Sequence, residues 1–105
     1  MSQSRSSLNT VILKSVGSRL RTLRRTKQLT LAKLARKSGV EMATISRIER
    51  GQMIGTLESH VRLSRALSVH LSTFYAELDH ALKLAGSALT RSAGSAPASP
   101  RVKRA

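Results

Sequence analysis

Between residues 14 and 84, apolar side chains recur every three or four positions, and short polar or glycine-bearing breaks divide them into segments. That spacing is the stripe of a helix with one buried face, and breaks this short leave room only for tight turns. The pattern predicts an all-α chain, a compact bundle of five short helices. Phe74 and Tyr75 are the only aromatic residues, so the core has to be built from Leu, Ile, Val and Ala. A chain of 105 residues, 40% hydrophobic, suffices for one modest domain and is too short for two.

The first helix is expected over 14–27, with Val16, Leu20 and Leu23 inward. Leu8, Val11 and Ile12 continue this stripe backwards, and Ser7 offers a cap. The β-branched run T-V-I-L (10–13) equally suits a short strand or a dimer arm. Thr30 is placed to cap a second helix over 31–38, because its hydroxyl can accept an orphan backbone N–H. Gly39 stops that helix at a position where a left-handed residue is common. A third helix is expected from Met42 to Arg50, ended by Gly51. Thr56 caps a fourth over 57–68, whose first turn carries Glu58 at the positive end of the helix dipole. A fifth spans Leu71 to Leu84. Residues 1–13 read as a flexible N-terminal arm and 14–84 as the folded domain. Residues 85–105, rich in Ala, Ser, Gly and Pro and ending R-V-K-R-A, read as a basic tail that buries too little apolar surface to order itself.

The formal charge of +14 favours a polyanionic partner, nucleic acid foremost. Without cysteine there are no disulfides, thiol nucleophiles or Cys-based zinc sites. No apolar run approaches the roughly 20 residues needed to span a bilayer, and no secretory signal pattern is present. These features predict a cytoplasmic protein without a membrane partner. His60, His70 and His80 lie ten apart, which does not align them on one helix face, and they read as surface or boundary residues. Glu77 and Asp79, two apart, point in different directions. With no phosphate-binding glycine loop and no metal-ligand cluster, neither catalysis, a cofactor nor a metal is expected.

The most informative stretch is Thr30–Gly51, T-L-A-K-L-A-R-K-S-G-V-E-M-A-T-I-S-R-I-E-R-G. Two short helices meet here at a glycine-containing turn, as in a helix-turn-helix. Ala35 is small where the helices press closest, Val40 plugs the corner, and Ile45 and Ile48 anchor the third helix. With V-G-S-R-L-R-T-L-R (16–24), L-T-L-A-K-L-A (29–35), S-G-V (38–40), I-S-R-I-E-R-G (45–51) and R-A-L-S-V (65–69) in this order, the chain resembles the Cro/phage-repressor (XRE) family over residues 16–78.

The resemblance implies a lambda-repressor-like fold whose third helix reads the major groove of double-stranded DNA. Met42, Ala43 and Arg47 match the family's base-contacting positions. Arginine suits a bidentate contact to guanine, and Met42 and Ala43 suit thymine methyls. Thr44 and Ser46 are candidates for a phosphate or base edge, and Arg50 matches a backbone-contacting position. Thr30 and Leu31 open the second helix. Leu31 stands where the family often has a DNA-contacting Gln, so only backbone N–H groups remain there to hold a phosphate. Glu41 stands where Ser or Thr usually caps the recognition helix; it suits the helix dipole but faces phosphates poorly, and could instead accept from a cytosine amino group. Arg24 and Glu49 match a structural ion pair of the family.

The function these residues imply is that of a sequence-specific transcriptional regulator. It would repress by binding a palindromic operator as a homodimer, although activation fits the sequence equally. The alternative is an antitoxin that represses its own operon and holds a toxin or other protein partner through its tail or arm. A third reading is charge-driven, non-specific nucleic-acid binding.

Overall fold

A computed structural model describes residues 3–93, with side-chain surroundings for residues 7–85. The described residues form six helices and no strand: α1 (Gln3–Thr26), α2 (Leu31–Ser38), α3 (Met42–Glu49), α4 (Leu57–Ala66), α5 (Leu71–Phe74) and α6 (Leu78–Ala93). The all-α architecture is the one the periodicity predicts. Val16, Leu20 and Leu23 of α1 meet Leu34, Val40, Ile45, Ile48, Leu63, Leu67 and Phe74 in one buried cluster. The core is aliphatic but for a single Phe. Helix α1 packs on α3 and α6, α2 on α3 and α4, and α4 on α5.

Local chemistry sets the helix ends. The Thr30 hydroxyl accepts the Lys33 N–H at 3.0 Å. Thr56 and Ser59 form a reciprocal capping box at the start of α4. Three helices end in the same way, with a left-handed residue just past the cap. Leu29 N–H reaches Arg24 O and Gln28 N–H reaches Arg25 O after α1; Gln52 and Gly51 do this after α3, and Val69 and Ser68 after α4. These are paired 6→1 and 5→2 hydrogen bonds that satisfy carbonyls left over at a helix end. Glycine supplies the positive φ only at Gly51; Gln28 (φ 59°) and Ser68 (φ 60°) adopt it with a side chain.

Four expectations are corrected. Helix α1 begins at Gln3, so residues 3–13, expected as an arm, are its first turns. Val11 and Ile12 are half-buried, and Ile12 packs against the core; a partner in α6 overrides the strand preference of the β-branched run. The expected fifth helix is divided at Tyr75–Glu77. Arg19 Nε donates to the Thr73 carbonyl at 3.0 Å, and Ala76 N–H takes the same oxygen. The acceptor that would have continued the helix is thereby occupied, and i→i+3 bonds carry the chain round to α6. That helix then runs on to Ala93, so residues 85–93, expected as the start of an unordered tail, belong to it; alanine, the strongest helix former, recurs through them. The cationic tail residues Arg101, Lys103 and Arg104 lie outside the described residues.

The fourth correction is His60, which is only 4% exposed. Its Nε2 lies 2.6 Å from the Ile54 carbonyl, and its Nδ1 lies 2.7 Å from the Tyr75 hydroxyl. A carbonyl only accepts, so Nε2 carries the hydrogen. The ring is also tilted against Phe74, with centroids 5.4 Å apart. Satisfied at both nitrogens, an imidazole is a good bridge between α4, the loop before it and α5. Burial pushes the Tyr75 hydroxyl pKa above the ordinary phenol value.

Candidate nucleic-acid interface

The turn between α2 and α3 is built from residues 38–41. Gly39 is left-handed (φ 78°) and its N–H returns to Ala35 O. Ser38, itself buried, accepts the Val40 N–H on its hydroxyl at 3.0 Å. Val40 is buried against the core, and Ile45 and Ile48 of α3 are fully buried. Two buried isoleucines three apart fix the rotation of α3 about its axis. The opposite face then carries Ala43 and Arg47 exposed, and Met42, three residues before Ile45, is half accessible beside it in the first turn. Thr44 and Ser46 are half-buried at the flanks of that face. Glu41 is extended and exposed at the N-cap, and its side chain makes no capping hydrogen bond. Thr30 is exposed at the start of α2, whereas Leu31 is half-buried and packs against the core.

The other end of α3 is clamped to α1. Arg24 donates from Nε to Glu49 Oε2 at 2.6 Å and from Nη2 to Oε1 at 3.0 Å, while Nη1 reaches Leu29 O at 2.9 Å. The Glu49 hydrogen bond and charge raise the Arg24 pKa, against an opposing desolvation. Gly17 meets the same end of α3: a Cβ there would collide with the Ile48 carbonyl and lie 3.1 Å from that of Glu49. Arg50, the C-cap of α3, is exposed, with Nε 3.4 Å from Ser46 O. Thus Ala43 and Arg47 share one exposed face with Met42 beside it in the first turn, Arg50 closes its far end, and Arg24 and Glu49 lie behind it as scaffold.

Residues 15–74 match the family model described as a helix-turn-helix domain. The chain belongs to the XRE-like helix-turn-helix family of DNA-binding proteins. This helix-turn-helix regulator is similar to the restriction-modification controller protein C.AhdI from Aeromonas hydrophila, at 34% identity and a TM-score of 0.58. That match covers 59% of this chain and 94% of the controller. It is also similar to an HTH_3 family transcriptional regulator from Vibrio cholerae, at 25% identity and a TM-score of 0.65, over 72% of this chain and 43% of that one. The regulator thus spans less than half the length of the second relative. No curated protein matches the chain by sequence.

The regulator's basic residues divide into two groups. Arg19 is tied to Thr73 O and lies 3.7 Å from Glu77, Arg24 holds Glu49, and Arg62 holds Glu58 at 2.8 Å. Lys14, Arg21, Arg25, Lys27, Lys33, Arg36, Lys37, Arg47, Arg50, Arg65 and Lys83 are exposed, and none is in an ion pair among the described residues. The three histidines do not converge: His60 is in the core, His70 precedes α5, and His80 lines an open groove of about 1140 Å³ with Lys14, Arg50 and Ala81. Among the described residues no acidic, histidine or cysteine cluster could hold a metal, and no helix is long and apolar enough to cross a membrane. Sequence reasoning missed Ser38 and Gly17 as determinants of how α3 is set. An isolated glycine inside a helical run is itself a signal of close backbone approach.

Proposed function

We propose that this DNA-binding transcriptional regulator inserts α3 into the major groove as a homodimer on a palindromic operator, and represses by occupying a promoter. Met42, Ala43 and Arg47 would meet base edges, with Arg47 bidentate on guanine. The backbone N–H groups at the start of α2 (Thr30, Leu31), together with Arg50, would hold phosphates. Thr44 and Ser46 reach the groove walls from their half-buried positions. The observation that carries this reading is the rotational setting of α3: Ile45 and Ile48 are fully buried, and the exposed face holds one long cationic donor among small or apolar side chains. Two-fold pairing through the α5–α6 segment and the first turns of α1 would set half-sites roughly 34 Å apart. The protein would do this work in the cytoplasm, on nucleoid DNA, without catalysis.

Selection of DNA from a randomised pool at near-physiological salt tests this reading. A shared palindromic site supports it, and recovery of no shared site overturns it. Arg47→Ala should lower affinity for the selected site by about 1–3 kcal/mol and relax one base position. A small loss uniform over all sequences would instead favour charge-driven binding. Likeness to a restriction-modification controller across nearly all of that protein's length supports control of a short gene module as the setting. The antitoxin alternative rests on a tail mostly outside the described residues, and co-purification of a toxin would establish it.

A further inference from the structure

Glu41 is set apart from the other acidic residues of this cationic chain. Glu49 is held by Arg24, Glu58 by Arg62 and Glu77 by Arg19. Asp79 in the first turn of α6 and Glu41 at the N-cap of α3 are both favoured by a helix dipole, but only Glu41 stands on the helix proposed to enter the groove. Glu41 is at the N-cap of α3 and makes no cap hydrogen bond. It is exposed and enters no ion pair among the described residues. Its unused carboxylate thus sits at the end of the helix proposed to enter the groove, where Ser or Thr would cap the same backbone and be neutral to DNA.

A carboxylate offers acceptors only and is repelled by phosphate. Its partner on DNA has to be a donor on a base edge. In the major groove, guanine shows two acceptors and thymine an acceptor beside a methyl group. Adenine shows an amino donor next to the N7 acceptor, which opposes a carboxylate. Cytosine shows its N4 amino donor with an apolar C5–H edge on its outer side, where adenine has N7; the paired guanine O6 lies on the inner side only. We propose that Glu41 is a specificity-determining residue that selects cytosine at one position of each half-site and weakens docking wherever that amino group is missing. This rests on α3 entering the major groove. The same carboxylate then limits the non-specific binding that a charge of +14 would otherwise promote.

The test is parallel selection from a randomised duplex pool with the wild-type protein and Glu41→Gln. Affinity for one random-sequence duplex and the thermal melting midpoint are measured for both. The wild type should require cytosine at one half-site position, and replacing that base should cost it roughly tenfold. Glu41→Gln should lose the requirement and accept adenine there, since an amide matches adenine's donor and acceptor together. It should also bind the random duplex several-fold more tightly, with only the small drop in midpoint expected from losing one charge at a helix N-terminus. An identical cytosine requirement in both proteins overturns the proposal while leaving major-groove reading intact. A wild-type requirement for adenine that Glu41→Gln relaxes overturns the choice of cytosine. A lowered midpoint with uniform loss of affinity makes Glu41 a helix-end stabiliser only. A wild-type protein that enriches no motif overturns the groove reading itself.

Discussion

Glu49 exposes 6% of its side chain, and both of its oxygens are taken by an Arg24 that exposes 12%. With Nη1 on the Leu29 carbonyl, the guanidinium ties α1, α3 and the turn before α2 together. The arrangement is costly to break from one side, because the remaining charge stays buried without its partner. Glu49→Ala should destabilise the fold by about 3 kcal/mol, the lower end of the usual range because the edge of Arg24 meets solvent. Chemical denaturation read by circular dichroism checks this, and an unchanged midpoint would refute it. The pair was legible in the sequence only through family resemblance, since nothing in local spacing links positions 24 and 49. His60 was not legible at all. Its burial depends on a carbonyl at Ile54 and a hydroxyl at Tyr75 that only the folded chain brings to its two nitrogens.

Among the elements, α2 and α3 follow the sequence closely because their ends are chemically marked by Thr30, Gly39 and Gly51. The first and last helices do not, because their limits depend on each other. The early turns of α1 have α6 to pack on, and the break before α6 exists because Arg19 of α1 takes the Thr73 carbonyl. Sequence periodicity registers the apolar stripe but not the neighbour that makes it worth burying. Gly17 is the point where α1 comes nearest to the end of α3. Gly17→Ala raises helix propensity by about 1 kcal/mol, yet it drives a methyl into fixed backbone that lacks a rotamer by which to yield. Overpacking of that kind costs about 1–3 kcal/mol or more. The net expectation is a lower melting midpoint, with helical content retained at low temperature. A raised midpoint would show that α1 can move away from α3.

Over the whole molecule, eight of the exposed cations without an acidic partner among the described residues lie between Arg21 and Arg50, with Lys14, Arg65 and Lys83 outside that stretch. A protomer that places about four of them on phosphates should show a slope of about −3.6 in log affinity against log salt. Fluorescence anisotropy over a salt series measures it, and a slope near zero would mean that these side chains stay solvated when DNA binds. Removing residues 94–105 should make the slope shallower at every DNA sequence alike, since Arg101, Lys103 and Arg104 leave with them. The clamp on α3 has a different consequence. Buried isoleucines, the Gly17 contact and the doubly hydrogen-bonded carboxylate hold this helix in one pose before any partner arrives. The entropy of ordering it is lost during folding, not on association. Any mismatch in curvature or groove width then has to be absorbed by the duplex, so that the flexibility of base steps the protein never touches becomes part of what it selects.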